Sequence, residues 1–150
     1  MLKSSKSQYH IVIVGCGRLG SLLANRLSAQ GHSVITIDNN PHAFSNLSTE
    51  FSGFRIEGDA TEFSTLEKAK MAQSEIVIAS TSDDNVNLMV AQVAKKICNV
   101  SHVVARVFDP KKEATFQEMG IDTICPTSIA GQVLLDTIAE SLTKQAGEKK

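Results

Sequence analysis

An α/β fold, a doubly wound parallel sheet of about six strands in one domain, is what this sequence predicts. Three observations predict it. Short apolar runs alternate with helix-period patterns from end to end, which is how parallel sheets are built through right-handed crossovers. A glycine-rich turn, Gly15-Cys16-Gly17-Arg18-Leu19-Gly20, sits between the first apolar run and the first helical pattern. The chain has 150 residues, 42% hydrophobic and 21% charged, the size and make-up of one globular domain.

Ile11–Val14 is a continuous apolar run ending at a glycine and reads as a buried parallel strand. A helix follows over about Arg18–Gln30, with Leu19, Leu22, Leu23 and Leu27 at helical spacing and Gly31 as its stop. Val34–Ile37 is the second strand and ends at Asp38. Asn39-Asn40-Pro41 then turns the chain into a short helix around His42–Ser48. Phe54-Arg55-Ile56 is a third, weaker strand closed by Gly58-Asp59. Thr61 is placed to cap a helix carrying Phe63, Leu66 and Met71. Ile76–Ala79 is the fourth strand. Ser82 or Asp83 starts a long helix through Cys98, with Val86, Met89, Val90 and Val93 as its apolar face. His102–Phe108 is the fifth strand, stopped by Asp109-Pro110. Lys111–Met119 is a short helix that Gly120 ends, and Ile121–Cys125 is a weak sixth strand. Pro126 opens a last helix with Ile129, Val133, Leu134, Ile138 and Leu142 on one side. The expected domain is residues 10–141, between a disordered segment at 1–9 and a polar tail at 142–150 that is expected to fray from Lys144 to Lys150.

Bulk properties narrow the function classes. Formal net charge is −1 and the arginines are scattered, so nothing draws the chain to nucleic acid or an anionic membrane. The three cysteines lack metal-ligand spacing and read as small buried hydrophobes in a reducing compartment. No metal is expected. No apolar run approaches the ~20 residues that span a bilayer, and the first nine residues hold no apolar signal core. A cytoplasmic protein is expected, free to dock on a membrane protein.

The glycine turn fits G-x-G-x-x-G in the strand-to-helix context that gives the spacing meaning. Gly15 permits the tight turn, Gly17 lets backbone approach phosphates, and Gly20 lets helix and strand pack closely. Cys16, Arg18 and Leu19 complete the loop. The helix start offers free N–H groups and a positive dipole end. The alternative is a glycine turn that serves packing alone. Asp38 lies 18 residues after Gly20, near the offset at which a carboxylate accepts hydrogen bonds from a ribose. It would repel a 2′-phosphate, so NADP is disfavoured while NAD(H), ATP, ADP and AMP stay open; a turn or cap aspartate is the other reading. Asn39, Asp59, Ala60, Thr81, Asp83 and Arg106 also lie at or near the carboxyl ends of strands, where this architecture places ligands. Asp83 is equally a helix cap. Arg106 in an apolar strand needs a phosphate or a carboxylate partner.

Together these blocks resemble the RCK N-terminal domain, also called TrkA-N or KTN, of potassium transporter and channel regulators. The resemblance covers about residues 10–141. It is carried by Val-Gly-Cys-Gly-Arg-Leu-Gly at 14–20, Ile-Asp at 37–38, Gly-Asp-Ala-Thr at 58–61, Thr-Ser-Asp-Asp-Asn-Val-Asn at 81–87, Ala-Arg-Val-Phe-Asp-Pro at 105–110 and Gly-Ile-Asp-Thr-Ile-Cys-Pro-Thr at 120–127. It implies a Rossmann-like domain that binds NAD(H), ATP, ADP or AMP as a regulatory ligand. It implies a phosphate loop at Gly15, Gly17, Arg18 and Gly20, ribose at Asp38, and the adenine side at Asp59 and Ala60. Arg106 would match an arginine of the family's fifth-strand motif that can face the phosphates. It further implies homodimers, often assembled into rings, docked on the inner face of a membrane potassium transporter or channel subunit. Many such proteins carry a second ligand domain after the last helix. Here the chain ends soon after that helix, as a free-standing subunit or as a piece of something longer.

A non-catalytic sensor is therefore the leading expectation, working by differential affinity for two states. The alternatives are a small NAD-dependent oxidoreductase and a nucleotide-binding regulator of another ion antiporter. Hydride transfer needs an acid or base near the nicotinamide. The one tyrosine, Tyr9, precedes the first strand, so a Tyr-x-x-x-Lys pair is missing. His10, His32, His42 and His102 sit at strand starts or flank the second strand, away from the ligand edge.

Overall fold

The β-branched runs become the strands. The computed structural model describes residues 7–149; residues 1–6 of the expected disordered segment, and Lys150, lie outside the described residues. The strands are β1 His10–Val14, β2 Ser33–Asp38, β3 Phe54–Glu57, β4 Ile76–Ala79, β5 His102–Arg106 and β6 Asp122–Ile124. They form one six-stranded sheet in the order β3-β2-β1-β4-β5-β6, every pair parallel. This is the doubly wound Rossmann-like arrangement the sequence predicts. Its order reverses between β1 and β4, and a crevice opens there at the carboxyl ends. Val14 is in register with both Ile37 and Ala79, so three strands end level at that crevice.

Strand alternation divides the core between the two faces. Val12, Val14, Ile35 and Ile37 pack with Leu66, Met71, Val90 and Phe116 on one side. Ile11, Ile13 and Val34 pack with Cys16, Ala24, Leu47 and Phe51 on the other. The helices are α1 Arg18–Ala29, α2 Phe63–Lys68, α3 Asp84–Gln92, α4 Pro110–Glu118 and α5 Pro126–Glu148. The expected leucine stripe of α1 is not its deepest face. Gly20, Ser21, Ala24 and Ser28 are buried while Leu22 is exposed, because close helix–sheet approach selects small residues.

Other local expectations shift for identifiable reasons. The segment after Pro41 is a 3-10 turn, Pro41–Asn46. Thr61 does not cap α2; its N–H and hydroxyl both donate to Asp59. That helix stops after six residues. Lys70 then takes a left-handed φ of 53° and Met71 enters a separate 3-10 turn. Asp83 is the α3 cap, accepting from the Asn85 and Val86 N–H groups. The long helix expected through Cys98 widens into a π turn at Val93–Ile97. Its buried face is Asp84, Asn87, Val90, Ala91 and Ala94, with Val86, Met89 and Val93 only partly buried. β5 ends at Arg106, two residues before the expected Phe108. The stretch expected to fray from Lys144 is helical through Glu148, and no residue of α5 is buried.

Candidate functional site

The level carboxyl ends of β1, β2 and β4, with the end of β5, floor a cleft of about 470 Å³. Gly15 closes β1 with a φ of 98°, a region L side chains rarely enter. A Cβ there would meet the Ser80 backbone at 2.8 Å. At Gly20 a Cβ would stand 1.9 Å from the Gly15 carbonyl oxygen. At Gly17 it would meet nothing within 4 Å. The three glycines thus have different duties: two let backbone meet backbone, and one keeps space open. Gly17 is the N-cap of α1 and no side chain caps that helix, so its first N–H groups remain for a ligand or water.

Asp38 stands across the loop. Its two carboxylate oxygens accept from the Cys16 N–H at 2.8 Å and the Asn40 N–H at 2.8 Å. These bonds fix the carboxylate and leave each oxygen further lone-pair capacity. The Cys16 thiol itself is buried and does not line the cleft. Burial first, then the Asp38 charge, pushes its pKa up to about 11, so it stays a neutral thiol. Asp59 is exposed, and the Thr61 hydroxyl and N–H hold its carboxyl below the usual range. Both bonds fall on Oδ1.

The far wall is tied together by two buried polar residues of α3 that the sequence reading did not single out. Asn87 is wholly buried. Its Oδ1 accepts from the Thr81 N–H and hydroxyl. Its Nδ2 donates to the Thr81 and Arg106 carbonyls. Asp84, one turn earlier, accepts from the Phe108 and Asp109 N–H groups. One helix therefore fixes the loops after both β4 and β5. Polar residues at i and i+3 inside an apolar helical pattern were the available signal. Asn87→Ala should leave these groups unpaired in the interior and lower stability by about 2–4 kcal/mol, read by chemical denaturation.

Arg106 closes the cleft. Its guanidinium carbon lies 4.0 Å from the centroid of the Phe108 ring. Its Nε is buried with no hydrogen-bond partner. A cation left with an unanswered donor beside an open cleft fits an oxyanion.

Of the residues expected at the site, Gly15, Gly17, Arg18, Asp38, Asn39, Asp59, Ala60, Thr81, Asp83 and Arg106 line the cleft. Cys16, Leu19 and Gly20 do not; Cys16 and Gly20 are buried behind the loop and support it through backbone and packing. Ser80, Ser82 and Val86 line it as well, all within or beside the 81–87 block. No histidine lines it.

A family model described as the TrkA-N domain matches residues 11–127. The chain belongs to the TrkA-N domain family. Among TrkA-N relatives it is similar to the Trk system potassium uptake protein TrkA of Streptomyces coelicolor, 41% identical over 115 residues, 77% of this chain and 52% of that protein. It is 32% identical over 134 residues to the TrkA of Mycobacterium tuberculosis, 89% of this chain and 59% of that one. The chain thus spans little more than half the length of these relatives. Among solved structures it is similar to the TrkA-N domain of the inner membrane protein ybaL from Escherichia coli, with a TM-score of 0.76, 19% identity, and coverage of 88% and 98% of the two chains. The Kef CTD of Shewanella denitrificans in AMP-bound form gives 0.73, 24% identity, and coverage of 89% and 80%. The GsuK channel bound to NAD gives 0.70, 22% identity, and coverage of 88% and 24%. At these identities the likeness is one of fold. Among the described residues no helix is long and apolar enough to cross a membrane.

Proposed function

We propose that this TrkA-N domain is the nucleotide-sensing part of a potassium uptake regulator, and that NAD(H) or an adenosine phosphate binds in the cleft. The observation that carries this reading is the pairing of open space over Gly17 with the unanswered Nε of Arg106. Phosphates would lie on the α1 N-terminus between Gly17, Arg18 and Arg106. The ribose would bond the fixed carboxylate of Asp38, and the adenine side would rest at Asp59 and Ala60. Thr81 and Asp83 would border the ligand from the α3 side. Asp84 and Asn87 would hold that border in place. The relatives named as potassium uptake proteins, and the AMP-bound and NAD-bound structures of like fold, support the ligand class and the setting. The partner would be a membrane potassium transporter or channel subunit, met at the inner face of the membrane by a homodimer or larger ring.

The ligand acts as an effector in this reading. No histidine or tyrosine stands at the cleft to move a proton, and NADH is expected to stay unconsumed with small carbonyl substrates. Calorimetric titration tests the site. NADH or AMP should bind at least tenfold more tightly than NADPH, because Asp38 faces the ribose edge where the 2′-phosphate would sit. Asp38→Ala should narrow that gap. Equal NADPH affinity in the wild type removes Asp38 from the ribose.

A further inference from the structure

The strongest second site lies at the other end of the same strands. The cleft described above uses the last residues of β1 and β2. His10 and Ser33, their first residues, belong to a separate cavity of about 590 Å³, four residues or roughly 13 Å away along β1. It exists because the α2 crossover is short. Six residues rise only about 9 Å, and the chain turns sharply at Lys70. The start of β3 is left uncovered, beside the buried start of β2. Phe54 on β3 is 68% exposed, and Ile35, Phe54 and Ile56 present an apolar floor on one sheet face.

The rim has a different chemistry. Lys68, Lys70 and Gln73 line it, and no carboxylate does. Arg55 also lines the cavity but turns its guanidinium over the Phe51 ring, 5.6 Å from the centroid, so it is left out of the charge. Glu75, just before β4, accepts from the His10 N–H at 2.7 Å. His10 Nδ1 meets the Ser33 hydroxyl at 3.3 Å, while its Nε2 is buried with no partner. Every polar side chain on the wall is able to donate a hydrogen bond, and the surplus charge is positive. Lys70 holds its place at a φ of 53°, a conformation that glycine takes more readily. The cavity has the size and mixed lining of a small-molecule site, and is larger than a bare inorganic anion needs.

We propose that this cavity binds a small organic carboxylate. Its flat apolar body covers Phe54 and Ile56, and its carboxylate reaches Lys68 and Lys70. The site is independent of the nucleotide reading, since it shares no residue with that cleft. The test is titration of the full chain with 2-naphthoate, followed by backbone amide NMR. Saturable shifts should fall on Ser33, Ile35, Phe54, Ile56 and Lys70. A charge-reversed Lys68→Glu/Lys70→Glu chain should bind at least tenfold more weakly, as should the wild type with the neutral 2-naphthalenemethanol. Lys70→Gly relieves the backbone and keeps the fold, so it should retain the spectrum and still bind severalfold more weakly. Four results overturn the proposal: no saturable shift at these residues, shifts confined to Gly15–Gly17, equal binding of the neutral alcohol, or unchanged binding in Lys70→Gly. Inorganic phosphate binding there as tightly as 2-naphthoate would overturn the organic part of the assignment.

Discussion

Gly17→Val should abolish nucleotide binding and leave the fold standing. Gly17 has an extended conformation with a φ of −73°, which an L-residue adopts without strain. Its Cβ direction is empty to 4 Å, so valine meets no protein atom at its Cβ. It fills the space a phosphate needs and screens the N–H groups of the α1 start. A loss of at least a hundredfold in affinity is expected, about 2.7 kcal/mol, with a denaturation midpoint near that of the wild type. Gly20→Ala is the contrasting case. Its Cβ falls 1.9 Å from the Gly15 carbonyl oxygen, a backbone atom that cannot step aside without moving β1 or α1. That change should cost more than about 3 kcal/mol in stability. Paired denaturation and calorimetry on the two variants separate the roles. Normal binding by folded Gly17→Val would leave the loop with a packing duty alone. A fully stable Gly20→Ala would mean that α1 does not sit this close to β1.

The same contrast explains what was readable beforehand. The strands were legible because buried parallel strands are nearly continuous apolar runs, as in Ile11–Val14 and Ile76–Ala79. The glycine loop was legible because its spacing reflects backbone contact. Its division of duties was legible too, with Gly15 and Gly20 meeting backbone and Gly17 open; the Ser80 backbone that Gly15 abuts, far away in sequence, was not. The α1 face was misread for a related reason: hydrophobic periodicity finds leucines, whereas close packing buries Gly20 and Ala24. Asn87 was missed because its partners, Thr81 after β4 and Arg106 at the end of β5, are brought together only by the fold. The short α2 and the π turn after Gln92 left no sequence punctuation. Neither a glycine nor a proline marks either end, and tertiary contacts decide them.

Truncation after Gly131 should turn the protein into a folded monomer. α5 has 23 residues, none of them buried, and a length of about 35 Å, and its side chains hydrogen-bond the rest of the described domain only from its first turn. There the Thr127 hydroxyl donates to the Phe108 carbonyl and the Ser128 hydroxyl to Glu113. Beyond that turn Val133 is 58% exposed, Leu134 63% and Leu142 61%. Ile138 and Leu135 are exposed with them. The helix does not fold back over the sheet, which would have hidden this stripe within one chain. Burying each large aliphatic side chain is worth roughly 1.5–3 kcal/mol, so the stripe strongly favours association in water. A second copy related by a two-fold axis is the simplest cover, because an isologous contact closes on itself and leaves no apolar face behind. The truncated chain keeps Thr127, Ser128 and both halves of the core. Sedimentation should therefore show a wild-type dimer or larger ring at micromolar concentration and a compact monomer after truncation. Leu134→Glu/Ile138→Glu in the full chain should weaken self-association at least a hundredfold while leaving nucleotide affinity per chain within a few fold. A monomeric wild type at that concentration would reject assembly. An oligomer that survives both changes would place the contact elsewhere, on a surface other than α5.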